Sequence, residues 1–562
     1  MKKKSIFVSV IVLALILVFC LGILLGVLIS AKEGTKSSNS LFSKTVYYQD
    51  GALWEGEELP AFYDADVKEL QYSRNAMTYI SHSQGFSVDL PADVKPDFSI
   101  AEQLVRFYSE MADIVISEEP VPEEYVMKEY MDTYINRYIL QPSYLDANHI
   151  TMHKNAVERV RDHEVQIVAL ERTPAPGSTV AHNTYVYCYI FAEPHLFYRI
   201  LFKAPDYTDE LMEQVYKTLY SFSRDVEVKG VPKTNVDLYP VPSESWSEET
   251  KALYNDIVNT DKIKWGAFVS RGVRERDREA IETLEEQIDY DLQFLLEYGC
   301  HFDPFPTEGM MHAHEMGKTV EFTMHISNAM NEDLEGYNPA LEVLDGVFDE
   351  TLRQFARDAK AFGHPFLFRL NNEMNSDWVS YGAPAAMNDP DIFVDLWHYL
   401  YRIFEEEGVD NAIWIFNPNN NSFPPQNYNH MLAYYPGNGY VHMFGITGYN
   451  TGTYYAKENN EKWLSFETLY DRIHYTSDPY FGKFPWIITE FASSSFGGNK
   501  PRWITDMFKT INKYGIIKVA VWFNADDLDP RPGKNKQVAR AYRLDETPQT
   551  IAAFRKGIAA FK

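Results

Sequence analysis

Short apolar runs alternate with segments of helical hydrophobic spacing throughout residues 250–562. We place strands near 264–270, 300–305, 319–326, 365–373, 412–418, 443–450, 485–492 and 517–524, and helices over 277–298, 347–363, 390–408, 466–476, 500–514 and 547–560. Eight strands in regular alternation with helices predict a (β/α)8 TIM barrel, an α/β fold. A doubly wound open sheet is the alternative, but no glycine-rich phosphate loop follows the first strand.

The pattern before the barrel is different and predicts a small α+β domain over residues 46–225. Residues 85–91, 164–170, 184–190 and 197–202 are rich in β-formers and predict strands of a meander. Residues 209–222 have helical spacing and predict a helix packed on that sheet. A proline-containing linker, residues 226–249, leads to the barrel. We find no catalytic group of residues in the α+β domain, and its role stays open.

An uncharged apolar run over residues 5–30 follows three lysines at the N-terminus. The run is long enough to cross a bilayer as a helix, and the lysines favour a cytoplasmic start. We therefore expect residues 1–32 to form a membrane anchor, residues 33–45 a stalk, and the remainder to be extracellular in a single-pass cell-membrane protein. A cleaved signal peptide, which leaves a secreted protein, is the alternative, although the apolar run is longer than usual for one.

Composition narrows the classes of partner. A formal net charge of −28 disfavours nucleic acid as a partner. Cys188 and Cys300 fall in different predicted domains, and we interpret both as free, buried thiols. Because no cysteine or histidine cluster has the spacing of metal ligands, we expect no cofactor and no catalytic metal.

Two glutamates stand at the ends of predicted barrel strands. Glu373 ends the fourth strand and Glu490 ends the seventh. Carboxylates at these ends point into the mouth of a β/α barrel, where such folds carry their chemistry. A facing pair of carboxylates is the minimal apparatus for cleaving a glycosidic bond. The opposing interpretation is two unrelated buried carboxylates, each in an ion pair, and the matching strand ends disfavour it.

Four motifs carry a family resemblance in their order and spacing. They are Arg-Leu-Asn-Asn-Glu-Met-Asn at 369–375, Gly-Ile-Thr-Gly-Tyr-Asn at 445–450, Ile-Thr-Glu-Phe at 488–491 and Val-Trp-Phe-Asn at 521–524. With these motifs, residues 250–562 resemble glycoside hydrolase family 26, a family of retaining barrel enzymes best known for β-mannanases. The resemblance implies that Glu373 is the general acid and then base, that Glu490 is the nucleophile, and that Tyr449 donates a hydrogen bond to the nucleophile.

The chemistry of a retaining pair suggests further roles. The acid must be protonated at working pH, and Trp378 and Trp522 are candidates for an apolar wall that raises its pKa. The nucleophile must stay ionised, and Arg369 is a candidate to hold it so. Trp522 is also a candidate floor for the sugar before the scissile bond. His325, at the end of the third strand, is a candidate contact for a sugar hydroxyl or a satisfied structural histidine.

One departure from the family bears on the substrate. The mannanases have histidine immediately before the acid, whereas this chain has Asn372. Asn-Glu is the arrangement of the wider clan, in which the asparagine commonly bonds the sugar 2-hydroxyl. That hydroxyl is axial in mannose and equatorial in glucose and xylose, so Asn372 shifts the expectation from β-mannan towards β-glucan or xylan.

These features predict a membrane-anchored, endo-acting retaining glycosidase that hydrolyses a β-linked polysaccharide: β-mannan, β-glucan or xylan. The alternative is a non-catalytic surface protein that binds or senses carbohydrate on a glycosidase-like barrel. A binding protein has no need of a second carboxylate, which favours the enzyme.

Overall fold

The computed structural model describes residues 44–327, 338–534 and 536–562. The predicted membrane anchor, residues 1–32, and nearly all of the predicted stalk lie outside the described residues. Within them, no helix combines the length and the apolar character needed to span a bilayer. The first strand begins at Lys44, one residue before the predicted end of the stalk.

The N-terminal domain consists of two antiparallel sheets, with more strands than the four predicted. The first sheet has the order β2-β1-β3-β4-β5 and the second has the order β6-β7-β8-β12-β11-β10-β9. The strands are β1 Lys44–Gln49, β2 Ala52–Leu53, β3 Val67–Tyr72, β4 Met77–Ser81, β5 Phe86–Leu90, β6 Lys95–Asp97, β7 Val105–Tyr108, β8 Asp113–Pro120, β9 Ile150–Val160, β10 His163–Arg172, β11 Thr184–Glu193 and β12 Leu196–Ala204. The four predicted strands correspond to β5, β10, β11 and β12.

Three helices accompany these sheets: α1 Met127–Tyr130, α2 Pro142–Ala147 and α3 Asp209–Ser221. Helix α3 corresponds to the predicted helix over 209–222 and packs on β5. Thr208 caps its N-terminus by accepting a hydrogen bond from the backbone N–H of Leu211. Cys188 and Cys300 are both buried, as predicted, and Cys188 is a free thiol.

Eight parallel strands close into a barrel in chain order, which confirms the (β/α)8 prediction and rejects the open sheet. The strands are β13 Lys264–Phe268, β14 Phe294–Cys300, β15 Thr319–His325, β16 Phe366–Leu370, β17 Ala412–Phe416, β18 Met443–Thr447, β19 Trp486–Phe491 and β20 Ile517–Phe523. Strands β13 and β20 pair in parallel and seal the barrel. A short hairpin of β21 Asp526–Leu528 and β22 Val538–Ala541 follows.

Helices surround the barrel and close its lower end. They are α4 Glu248–Val258, α5 Arg278–Ile288, α6 Thr307–Glu315, α7 Pro339–Leu344, α8 Asp349–Phe362, α9 Asp391–Glu407, α10 Phe466–Phe481, α11 Lys500–Thr510 and α12 Pro548–Ile558. Tyr254 and Ile257 of α4 join the apolar cluster formed by the inward side chains of the strands. Helix α4 therefore plugs the end of the barrel at which the strands begin.

The predicted position of the second barrel strand was wrong. It lies at Phe294–Cys300 rather than near 300–305, because helix α5 ends at Ile288 and not at residue 298. Asp289 adopts a left-handed conformation, with φ 54° and ψ 49°, and terminates the helix. The apolar residues 292, 295 and 296 keep helical spacing, which extended the predicted helix into the strand.

Candidate active site

Glu490 lies near the end of β19, where the strand carries one extra residue. Residue Thr447 pairs with Glu490, while the preceding Ile446 pairs with Ile488, so Thr489 is the additional residue. This bulge lets Thr489 and Glu490 both face the barrel interior, where a regular strand turns successive side chains to opposite sides. The carboxylate consequently projects into the mouth.

Four donors surround the Glu490 carboxylate. Its Oε1 accepts from Arg369 at 2.9 Å and from the Asn372 amide at 3.2 Å. Its Oε2 accepts from the hydroxyls of Tyr298 at 2.7 Å and Tyr449 at 2.8 Å. Burial by itself raises the pKa of Glu490, but the Arg369 charge and the tyrosine donors outweigh burial and lower it. Glu490 is therefore an ionised carboxylate.

Glu373 has the opposite environment. It follows β16 in a left-handed conformation, with φ 53°, and its backbone N–H donates to the Asn417 carbonyl at 2.8 Å. Its side chain accepts from the Thr447 hydroxyl at 2.6 Å and from the Trp378 indole at 3.3 Å. Burial first, and then the negative charge of Glu490, raise the pKa of Glu373 above its ordinary value. Of the two carboxyl groups, Glu373 therefore keeps its proton to the higher pH.

Arg369 lies buried at the centre of the site. Its Nη1 donates to Glu490 and, at 2.7 Å, to Asn417, and its Nε donates to Thr323 at 2.7 Å. Nε also lies 3.1 Å from Oε1 of Glu321, which is fully buried. Burial raises the pKa of Glu321 to about 8, and the negative charge of Glu490 adds to this rise. The guanidinium of Arg369 lowers the pKa of Glu321 but does not offset both, because it also neutralises Glu490. Although this contact has the geometry of an ion pair, Glu321 is therefore protonated near neutral pH, and the charge of Arg369 belongs to Glu490.

Asn372 connects the two sides of the site. While its amide nitrogen donates to Glu490, its Oδ1 lies 2.9 Å from Nε2 of His325 and 2.8 Å from the Tyr381 hydroxyl. Burial lowers the pKa of His325 to about 4, so its ring is neutral and donates from Nε2 to the amide oxygen. His325 thus orients Asn372.

The two predicted aromatic platforms are placed differently. Trp378 is 55% exposed beside Glu373, with its ring centroid 5.1 Å from that of Phe423. Trp522 is fully buried, and its indole N–H donates to the Tyr542 carbonyl at 3.1 Å. The Trp522 ring packs against Phe491 of β19 and against α11 and α12.

The prediction that Trp522 forms a sugar floor, or a wall beside the acid, does not fit this placement. The strand period of two turns Val521 into the barrel and Trp522 out towards the helices. The next residue, Phe523, lies on the interior side, where it stacks on Phe268 at 5.1 Å and lies 6.0 Å from Tyr449. Phe523 is the aromatic residue that β20 presents towards the mouth.

Sequence reasoning missed three further residues that contact the pair: Tyr298, Thr447 and Asn417. Tyr298 was assigned to a helix, yet in β14 it continues the inward series of Phe294 and Leu296. Thr447 and Asn417 each follow an apolar run at a strand end. Their position at the end of a strand was the sequence signal by which both residues could have been found.

One group of possible metal ligands exists within the residues that the structure describes. The ligand atoms of Glu249, His314 and His364 lie within 4.8 Å of one another. His364 precedes β16, and Glu249 is in the first turn of α4, so the group lies at the end of the barrel opposite to Glu373. It takes no part in the glutamate site.

Curated proteins of known name match part of this chain. The chain is 32% identical over 227 residues to Endoglucanase H of Acetivibrio thermocellus, covering 40% of this chain and 23% of that protein. It is 31% identical over 98 residues to a mannan endo-1,4-beta-mannosidase of Bacillus subtilis, covering 16% of this chain and 25% of the relative. The chain therefore spans about a quarter of the length of these curated relatives.

Among solved structures, the catalytic domain of the GH26 endo-beta-1,4-mannanase of Bacillus sp. JAMB-750 overlaps with a TM-score of 0.43 at 18% identity. The overlap covers 57% of this chain and 93% of that domain. A TM-score of this size adds nothing to the barrel assignment, which rests on the strand pairing.

The family comparison gives the clearest match. The sequence model of glycosyl hydrolase family 26 matches residues 280–476, which include Glu373, Asn372 and Tyr449 and end before Glu490. The resemblance predicted from the strand-end motifs is thereby confirmed over residues 280–476, which contain the motifs at 369–375 and 445–450.

Proposed function

We propose that the barrel domain is a glycoside hydrolase that cleaves a β-linked polysaccharide by a retaining double displacement. The observation that supports this most is that the pKa values of two glutamates at one barrel mouth are shifted in opposite directions. The pKa of Glu373 is raised and that of Glu490 is lowered. A retaining enzyme needs one protonated and one ionised carboxyl group at the same time.

In the first step, Glu373 donates its proton to the glycosidic oxygen while Glu490 attacks the anomeric carbon. The bond to the leaving sugar breaks, and a glycosyl ester forms on Glu490. Ester formation removes the negative charge that raises the pKa of Glu373. In the second step Glu373, now ionised, takes a proton from water, whose oxygen attacks the anomeric carbon and restores Glu490.

The hydrogen-bond donors around Glu490 keep it ionised and fix its direction. Arg369 and Asn372 hold Oε1, while Tyr298 and Tyr449 hold Oε2. Asn372 is also the candidate for the sugar 2-hydroxyl, because its amide nitrogen points to the nucleophile that attacks the neighbouring carbon. His325 holds Asn372 in this orientation through its hydrogen bond to the Asn372 Oδ1.

β-Mannan and β-glucan are the first substrates to test, because the relatives are named as a mannosidase and an endoglucanase. Xylan remains a third candidate through the Asn372 argument. The exposed Trp378 and Phe423 beside the acid favour a sugar-stacking surface open to solvent, which suits endo-action on a long chain.

The deciding experiment measures reducing-sugar release by residues 40–562 on β-mannan, mixed-linkage β-glucan, xylan and cellulose, with Glu490→Ala as control. We expect activity on one polymer that Glu490→Ala abolishes, and NMR of the first product should show the β-anomer. An α-anomer as the first product contradicts the retaining mechanism. Binding without turnover by a folded wild-type protein supports the carbohydrate-binding alternative. A fall in viscosity that precedes release of reducing ends distinguishes endo- from exo-action.

We further propose that the N-terminal apolar run anchors the protein in the cell membrane with the barrel outside. The run over residues 5–30 and the three preceding lysines support this. Full-length protein should sediment with membranes and be released by protease added to intact cells. Release of a shortened protein into the medium without added protease supports signal cleavage instead.

A further inference from the structure

The N-terminal domain contacts the barrel at the same end as the two glutamates. Its second sheet packs on segments that follow β15, β16 and β17, and one continuous apolar cluster runs across the contact. Tyr187 and Leu201 of the sheet share this cluster with Met387 and Tyr428 of the barrel. The loops after β16 and β17 also carry Glu373, Trp378 and Phe423, so the domain packs on the segments that surround the acid.

The loop after β16 is held by buried side chains of the N-terminal domain. The Tyr144 hydroxyl donates to the Ala385 carbonyl at 3.0 Å and accepts from the backbone N–H of Met387 at 3.1 Å. The Tyr187 hydroxyl donates to the carbonyl of Met387, and Arg199 donates to that of Asn388 at 2.6 Å. Met387 and Asn388 have positive φ values of 53° and 48°, a conformation that needs such support in residues other than glycine.

Buried charges fix the far end of the same loop. Lys203 lies 3.1 Å from Asp389 and 2.6 Å from Asp391, and Arg106 lies 2.9 Å from Asp391. Lys203 and Asp389 are both almost completely buried. An ion pair of this kind adds little net stability but strongly penalises any arrangement that separates its partners. The pairs therefore fix the position of the loop relative to the sheet.

The loop after β17 is held by Glu119 and Tyr130. Glu119 accepts from the backbone N–H groups of Asn427 at 2.7 Å and Tyr428 at 3.0 Å. Gln426 donates to the Tyr130 hydroxyl at 2.7 Å. Both loops that flank the acid are thus bound to the N-terminal domain by hydrogen bonds from buried groups.

Asn375 links these fixed points to the acid, which is two residues away. Its side chain accepts from the backbone N–H of Asn419 at 2.7 Å and donates to the Asn419 carbonyl at 2.9 Å. Its own carbonyl accepts from Phe423 at 2.9 Å and from the Asn429 amide at 3.0 Å. A chain of direct contacts therefore runs from the sheet through both loops to Glu373.

We propose that the N-terminal domain is a positioning domain: it fixes the loops after β16 and β17 and thereby places Glu373 and Trp378 for catalysis. This inference rests on the proposed glycosidase function. A loosened loop admits water to Glu373, and better solvation stabilises the ionised carboxylate. Activity is then lost at lower pH, because the acid gives up its proton sooner.

Two isosteric substitutions test the proposal in residues 40–562. Tyr144→Phe/Tyr187→Phe removes the hydroxyl contacts to the loop after β16 and leaves the ring packing intact. Tyr79→Phe is the matched control, because Tyr79 is equally buried but lies in the domain's other apolar cluster, which contains no barrel residue. Hydrogen exchange of residues 374–389, thermal stability, kcat, KM and the pH–rate profile are measured for both variants.

For the double variant we expect exchange over residues 374–389 to quicken by about tenfold or more, which is the change that ~1.4 kcal/mol of lost loop stability produces. We expect kcat to fall several-fold with a smaller change in KM, and the basic limb of the profile to move to lower pH. The control should keep all these values.

Unchanged exchange, or faster exchange with an unchanged kcat and basic limb, overturns the proposal, even if the melting temperature falls. Failure of the proposed function is recognised separately, by a wild-type protein that is inactive on every glycan. In that event the exchange arm alone decides whether the domain fixes the loop.

Discussion

Glu373 and Glu490 are the same residue type at equivalent ends of two barrel strands, yet their surroundings shift their pKa values in opposite directions. Glu490 is encircled by a guanidinium, an amide and two phenols. Among the residues that the structure describes, one hydroxyl and one indole donate to the Glu373 side chain, which also faces the negative charge of Glu490. The difference shows that the number and charge of the donors, rather than strand position, divide an acid from a nucleophile.

The largest effect should come from removing each carboxylate in turn. Glu490→Gln should lower kcat by about 10⁴-fold or more on any substrate, since the covalent step is lost. Glu373→Gln should lower kcat by about 10²–10⁴-fold on polysaccharide but much less on an aryl glycoside whose leaving group needs no proton.

Steady-state rates on the polymer and on a dinitrophenyl glycoside measure this contrast. Glu286→Gln, which changes an exposed carboxylate on helix α5, is the control. If both active-site variants show the same dependence on the leaving group, the assignment of acid and nucleophile is wrong.

The sequence predicted the contrasting pair because each glutamate follows an apolar run that ends a strand. Arg369 and Asn372 were accessible in the same way, since they closely precede Glu373 along the chain. Other features depend on distant pairing. The extra residue in β19 that turns Glu490 inward becomes apparent only from its pairing with β18 and β20. Whether Trp522 points into the barrel or out towards the helices likewise depends on how β20 pairs with its neighbouring strands.

Misleading local sequence patterns account for the other features that the sequence analysis missed. Tyr298 was missed because helical apolar spacing continued beyond Asp289 into β14. In the N-terminal domain, strand β9 was missed because it lies at a sheet edge, where its side chains are largely exposed and polar. The packing of that domain on the loops beside Glu373 involves residues separated by 186 positions or more, such as Lys203 and Asp389. No local pattern carries such information.

A second test makes the environment of Glu490 more like that of Glu373. Arg369→Lys keeps a positive charge but replaces a planar fork that reaches Glu490, Asn417 and Thr323 together. The pKa of Glu490 should rise, and kcat should fall by about 10–100-fold, corresponding to one or two charge-assisted hydrogen bonds. The acidic limb of the pH–rate profile should move to higher pH. An unmoved acidic limb contradicts the assignment of Arg369 to Glu490.

The two tyrosines allow a finer test of the same limb. Tyr298→Phe and Tyr449→Phe each remove one phenol donor from Oε2 of Glu490. Each should lower kcat by about tenfold and shift the acidic limb upward by about one pH unit, since a hydrogen bond to a charged group contributes ~1.5–3 kcal/mol. Tyr381→Phe is the control, because its hydroxyl contacts Asn372 and not the carboxylate. Equal shifts in all three variants contradict a direct role for the two donors.

The last prediction concerns stability rather than catalysis and involves Glu321, a third carboxyl that contacts Arg369 from beneath. Because burial raises its folded pKa to about 8, the folded state binds its proton more tightly than the unfolded state does. Stability from this group is present in full below the unfolded pKa of about 4.3 and is lost as pH rises towards 8.

Glu321→Gln removes the titration, so wild type and variant should have similar melting temperatures near pH 4.5. The variant should become the more stable protein by pH 8, at up to about 1.4 kcal/mol per pH unit between these limits. Melting curves at pH 4.5, 6 and 8 measure the difference, with Glu249→Gln as an exposed control. The contrary outcome is a stability difference, variant minus wild type, that falls between pH 4.5 and pH 8. It would show that Glu321 is ionised in the folded protein and that Arg369 is shared between two charged carboxylates.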